Sequence, residues 1–134
     1  MYSTVITPRV SETDGIGHIN NCVMPVWFEA ARTPIFEIFN PQFDLPNWHM
    51  FVVSTHLNYH RQTYYGRDVE VRGWVNRLGR SSFTLSEELY QDGECCVSNE
   101  VVYVNFDHET QRSAPLTSAQ RAALTAHLKE EQKA

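Results

Sequence analysis

The chain has 134 residues, of which 42% are hydrophobic and 20% charged, the make-up of one globular domain (residues 1–134) long enough to bury a core. A formal net charge of -5 with no Lys/Arg cluster removes the basic face that phosphate backbones select, so nucleic acid is not an expected partner. No apolar run is long enough to span a bilayer, the first residues lack a signal-peptide layout, and three cysteines, two adjacent, suit a reducing cytoplasm.

Tyr2 to Val10 is rich in β-branched residues and reads as a strand, which Pro8 assigns to a sheet edge. From about Met24 to Phe39 the apolar residues are not confined to one stripe, so a long buried helix is expected, with Pro25 in its first turn. Glu29, Arg32 and Glu37 then belong on the face that reaches water or a partner. Pro34 should kink this helix, and Asn40-Pro41 should stop it. The following loop, Pro41 to His49, carries Phe43, Leu45 and Trp48 and is expected to pack down.

The period then switches to two. Val53, Thr55, Leu57 and Tyr59 alternate with polar residues, which predicts a half-buried strand. Val69, Val71 and Val75 share a face of the next strand, and Phe83, Leu85 and Leu89 share a face of the one after. Asp92-Gly93 is a hairpin signal. The strand from about Cys95 to Phe106 alternates less cleanly, as a bulge or two covered faces would make it. Thr117 and Gln120 form a capping box that opens a polar terminal helix with Leu124 and Leu128 on one side. The three thiols read as small core residues, and no spacing suggests a metal site. His56 and His60 are expected at the surface. A helix apolar on most sides needs a sheet that curls around it, and meander strands joined by tight turns supply one.

Between the first strand and the helix lies Asp14-Gly15-Ile16-Gly17-His18-Ile19-Asn20-Asn21. Gly15 and Gly17 can take φ > 0, so the backbone here can approach a ligand closely. The loop ends where the helix begins, and unpaired N–H groups should point out of it. A carboxylate, an imidazole and free amide donors facing one spot could polarise and attack a carbonyl. Asp14 can equally serve as a cap or turn residue, His18 can orient the loop, and Asn20 and Asn21 can cap the helix.

This loop, entering an apolar helix that contains Glu29-Ala30-Ala31-Arg32, resembles the signature of hotdog-fold acyl-CoA thioesterases of the 4-hydroxybenzoyl-CoA thioesterase-like group. Tyr59-His60-Arg61 ahead of Gly66, Gly79-Arg80-Ser81-Ser82, and the Arg112 to Pro115 exit continue the likeness, which spans about Val5 to Leu124. The resemblance implies an α+β hotdog fold, with a curled antiparallel sheet of five or six strands around a long central helix. It also implies homodimers joined edge to edge, often assembled into homotetramers, with an active site at the dimer interface.

By the same resemblance Asp14 matches the catalytic carboxylate, acting as nucleophile or as general base on water. Asn21 matches the position whose backbone N–H accepts the thioester oxygen. His18 and Asn20 match residues used in related acyl-carrier-protein thioesterases. Arg80, Ser81 and Ser82 match the neighbourhood of coenzyme A contacts. Pro34 and the bulky Thr63-Tyr64-Tyr65 depart from the family pattern at positions that could reshape an acyl pocket. The expected substrate is an acyl-CoA, with an acyl carrier protein as the alternative donor. Thioester hydrolysis needs no metal or redox cofactor, coenzyme A entering as part of the substrate. The competing reading is a non-catalytic hotdog protein that binds acyl-CoA or an acyl group. A hotdog dehydratase is weaker, because no histidine sits in the central helix.

Overall fold

The computed structural model describes residues 1–129. Strands β1 (Tyr2–Ile6), β2 (Met50–Tyr59), β3 (Val69–Leu78), β4 (Ser82–Gln91) and β5 (Glu94–Asp107) form an antiparallel sheet in the order β1-β3-β4-β5-β2. The two-residue β6 (Arg112–Ser113) pairs with the end of β5. Helices α1 (Met24–Ala31) and α2 (Thr33–Phe39) pack their apolar side into the curl of this sheet, and α3 (Ser118–Thr125) packs against α2 and β3. This is the hotdog arrangement.

The curl has a local cause. Register shifts between Val52 and Ser54, Val75 and Arg77, and Leu89 and Tyr90 leave Val53, Asn76 and Cys96 as extra residues. Each such bulge bends its strand and increases the twist. The bulge at Cys96 also explains the uneven alternation of β5, because Cys96 and Val97 are consecutive and both buried. Val69, Val71, Val75, Phe83, Leu85 and Leu89 all point into the core, as their spacing predicts. Asp92 and Gly93 both have positive φ, 53° and 78°, which a two-residue hairpin turn requires. The capping box at Thr117 and Gln120 is present, Leu124 is fully buried and Leu128 is half-buried just past the helix.

Several expectations need correction. The stretch from Met24 to Phe39 is two helices, divided at Arg32 (φ -82°, ψ 3°). Pro34 has no N–H for the Ala30 carbonyl, and the Thr33 hydroxyl donates there instead at 3.3 Å. Nor are the helices buried all round: Met24, Trp27, Phe28, Ala31 and Ile35 are inside, while Val26 is 59% exposed. The sheet of one chain covers only one side of them. Arg32, expected at the surface, is buried. Its Nε and Nη2 donate to the two Glu87 oxygens, each at 2.7 Å, and its Nη1 donates to the Tyr103 hydroxyl at 2.9 Å. Glu87 also accepts from Tyr2 at 3.2 Å and Asn99 at 2.8 Å. Burial works against the Arg32 charge, but the bonds and charge of Glu87 outweigh it and hold the guanidinium protonated more firmly than usual. Burial, then the Glu87 charge, pushes the Tyr2 phenol up.

β1 ends at Ile6 rather than near Val10, and a 3-10 turn, Val10–Glu12, follows Pro8. β1 is an edge strand, as its proline suggested. In the loop before β2, Trp48 packs edge-on to Phe36 at 5.1 Å, but Phe43 and Leu45 stay exposed. β2 is not half-buried: Met50 is inside and Leu57 partly so, while Val52, Val53 and Tyr59 are 52%, 62% and 48% exposed. It lies at the other edge of the sheet, where the helices do not cover it. Cys96 is a core residue and Cys95 half-buried, whereas Cys22 is exposed in the turn before α1. His56 and His60 are exposed, as expected. Among the described residues no helix is long and apolar enough to cross a membrane.

Candidate active site

The glycine loop is a small lobe closed at its base and braced on one side. At the base, Asn20 N–H donates to the Glu12 carbonyl at 2.9 Å, and Asp14 N–H donates to the His18 carbonyl at 2.9 Å. Gly15 (φ 93°) and Gly17 (φ 90°) supply the left-handed turns at the tip. The Glu12 carboxylate anchors the lobe to α1 and the preceding turn, accepting from Trp27 Nε1 at 2.8 Å and Arg9 N–H at 2.7 Å.

The brace is the segment after β2. Ile19 N–H donates to the Thr63 carbonyl at 2.7 Å, and Tyr65 N–H donates to the Gly17 carbonyl at 2.9 Å. The His18 ring meets Tyr64 edge-on at 5.1 Å, and the Arg67 guanidinium lies over the same tyrosine ring. Gln91, buried at the end of β4, fixes this segment: its Oε1 accepts from Tyr64 N–H, and its Nε2 donates to the Tyr64 and Arg67 carbonyls.

Within the lobe, Asp14 Oδ2 lies 3.8 Å from His18 Nδ1, and Asp14 Oδ1 accepts from Ile16 N–H at 3.1 Å. Asp14 is therefore both a turn residue and the neighbour of an imidazole. Beyond the lobe a 3-10 turn, Asn21–Val23, leads into α1. Asn20 caps it, its Oδ1 accepting from Cys22 N–H at 2.9 Å and its carbonyl from Val23 N–H at 2.9 Å. The N–H of Asn21 meets no acceptor among the described residues. Asn21 lines a crevice of about 510 Å³ together with Ile19, Met24, Tyr59 and the stretch from His60 to Thr63.

Asn21 is therefore at the crevice, with Asn20 beside it as the cap. Asp14 and His18 are paired with each other but are not among the crevice's lining residues; His18 directly precedes the lining residue Ile19. Arg80, Ser81 and Ser82 lie elsewhere. They occupy the turn after β3, whose ten residues separate them from the Tyr64 end of the sheet by about 30 Å at the usual rise per residue. Their carbonyls accept from Leu116, Asn105 and Gly79 N–H groups, so the turn's backbone holds the C-terminal segment, and the Arg80 side chain is exposed.

The chain matches the family model described as the thioesterase-like superfamily over residues 8–124. It belongs to that superfamily. Its fold superposes with TM-score 0.92 on a predicted thioesterase from Bacillus stearothermophilus, 45% identical, over 96% of each chain. A thioesterase from Thermus thermophilus, complexed with coenzyme A and Zn, is 29% identical, with TM-score 0.83 over 93% of this chain and 92% of that one. The Bacillus subtilis protein YsmA, described as uncharacterized, is 29% identical over 89% of this chain and 82% of its own length.

Residue spacing pointed to the thioesterase-like loop itself but not to its supports. Of Glu12, Tyr59 and Gln91, only Gln91 gave a faint signal: with Glu87 it falls in phase with Phe83, Leu85 and Leu89, so two polar side chains had to be inside and satisfied.

Proposed function

We propose that the protein is an acyl-CoA thioester hydrolase. The observation that carries this reading is an N–H without an acceptor among the described residues on Asn21, which lines the crevice, with His18 of the Asp14–His18 pair next in the chain to the lining residue Ile19. In this reading the thioester oxygen accepts from Asn21 N–H at the entry to α1, where backbone donors favour developing negative charge. Asp14 acts on the carbonyl carbon, either attacking it to form an anhydride that water then opens, or drawing a proton from an attacking water. Both routes balance in the same way: the acyl carbon gains the water oxygen, the carbon–sulfur bond breaks, and the thiolate takes up a proton. His18 orients the Asp14 carboxylate. The coenzyme A complex of the Thermus thermophilus relative supports the choice of leaving group.

The reading includes a second copy of the chain. Phe51 pairs with Val104, and Val104 with Ser82, so the Arg80–Ser82 turn shares a sheet end with the start of β2. Tyr59, at the other end of β2, touches Asn21. Antiparallel pairing of two β2 edges lays the start of one β2 beside the end of the other. The second copy's turn is thereby brought to the Asn21 crevice, and the same contact covers Val52, Val53 and the outer face of α1. Arg80, Ser81 and Ser82 then hold the polar arm of coenzyme A from across the interface.

One observation favours a second reading, a non-catalytic binder of acyl-CoA: Asp14 does not line the crevice, and its Oδ1 is engaged in the lobe's own turn. Thiol release from a panel of acyl-CoAs separates the two. The hydrolase reading predicts release above the buffer blank for at least one member; release at the blank across the panel, with saturable coenzyme A binding, would establish the binder.

A further inference from the structure

The Asn21–Cys22 peptide is gripped at both ends. Its N–H, on Cys22, donates to Asn20 Oδ1 at 2.9 Å. Its carbonyl, on Asn21, accepts from the Tyr59 hydroxyl at 2.8 Å. The preceding peptide is held at one end only, its carbonyl on Asn20 accepting from Val23 N–H at 2.9 Å. Two planar peptide units meet at the Asn21 Cα, and their orientations are coupled through its two dihedrals. With the preceding plane held by Val23 N–H and the second by Tyr59 and Asn20, the dihedrals at Asn21 are restrained from both sides, and with them the one remaining donor, Asn21 N–H. Tyr59 comes from the end of β2, 38 residues along the chain, and its ring also forms a wall of the crevice.

We propose that Tyr59 is a positioning residue for the oxyanion-binding amide, a role that rests on the hydrolase reading. Its hydroxyl occupies the Asn21 carbonyl and so restrains the backbone that carries the Asn21 N–H. Without that bond the Asn21–Cys22 peptide keeps only the Cys22 N–H bond to Asn20 Oδ1, and the looser plane lets the neighbouring donor drift from its aim. The benefit is realised where negative charge builds up, in the transition state, rather than in the ground-state complex.

Tyr59→Phe tests this, since it removes one oxygen, keeps the crevice wall, and alters an exposed side chain that the fold does not depend on. For the best acyl-CoA of the panel, kcat should fall about tenfold, less than the hundredfold or more seen when an oxyanion donor is deleted outright. KM should stay within about twofold and the melting temperature within a few degrees, because uniform binding and stability are untouched. Amide exchange at Cys22 should quicken in the variant, reporting the loosened peptide. An unchanged kcat in Tyr59→Phe with an active wild type would overturn the positioning role and leave the hydrolase reading standing. So would a parallel decline of kcat, KM and melting temperature, which marks a purely structural residue. A wild type that hydrolyses no thioester would overturn both.

Discussion

Glu12 joins three elements through its side chain and its backbone carbonyl. Its carboxylate takes the Trp27 indole of α1 and the Arg9 N–H, while its carbonyl closes the glycine lobe on Asn20. Burial pushes its carboxyl up, but the hydrogen bonds from the Arg9 side chain, the Arg9 N–H and the Trp27 indole prevail and hold it below the ordinary carboxylate range. A carboxyl whose pKa is lowered on folding stabilises the native state above its unfolded pKa of about 4.3, and that contribution is lost as pH falls through the lower, folded value. The melting temperature of the wild type should therefore drop on acidification from about pH 5 to pH 3 more steeply than that of Glu12→Gln. Parallel curves for the two proteins would show that Glu12 carries no such linkage. None of this was visible in the sequence, where Glu12 is simply an acid two residues ahead of Asp14. Its partner Trp27 lies on the helix, and only the folded lobe brings them together.

At the scale of elements, the helix pair and the sheet are joined through charge as well as apolar contact. Arg32 sits at the break between α1 and α2 and reaches Glu87 in the middle of β4, with Tyr2, Asn99 and Tyr103 filling the remaining bonding positions. Removing one member of such a pair strands the other in the core, which costs about 3–5 kcal/mol, whereas replacing both with apolar groups costs far less. Urea unfolding of Arg32→Met, Glu87→Leu and the double variant should show each single change as the more harmful, with the double variant more stable than either. Additive losses would contradict the pairing. The strands, the Asp92-Gly93 hairpin and the Thr117 capping box were legible because each is written in neighbouring residues. The Arg32–Glu87 pair was not, because an arginine on an apolar helix looks like a surface charge until its partner, 55 residues away, is placed. The helix break was half legible: Pro34 announced a kink, but only the structure shows the Thr33 hydroxyl taking over the Ala30 carbonyl.

For the molecule as a whole, the proposed edge-to-edge dimer would cover the exposed apolar face along β2 and α1 and bring the Arg80–Ser82 turn to the Asn21 crevice. The expected light-scattering mass at micromolar concentration is at least twice that of the chain. Val53→Lys, which puts a charge on the exposed β2 edge, should lower the assembly state and thioester turnover together without unfolding the protein. A monomer with full turnover would break the link between the two. The lobe was the most legible part of the site, since an acid, two glycines and two amides before a helix state their chemistry locally. What the sequence could not show is how strands distant along the chain meet the lobe, and the proposed site requires one convergence in particular. The proposed function requires Asp14 to act at the same carbonyl that Asn21 N–H receives. Thiol release by Asp14→Asn, with the best acyl-CoA of the panel, tests it most directly. The account predicts a fall in kcat of at least about a hundredfold at unchanged melting temperature, as expected when the acting carboxylate is lost; turnover equal to the wild type would contradict it.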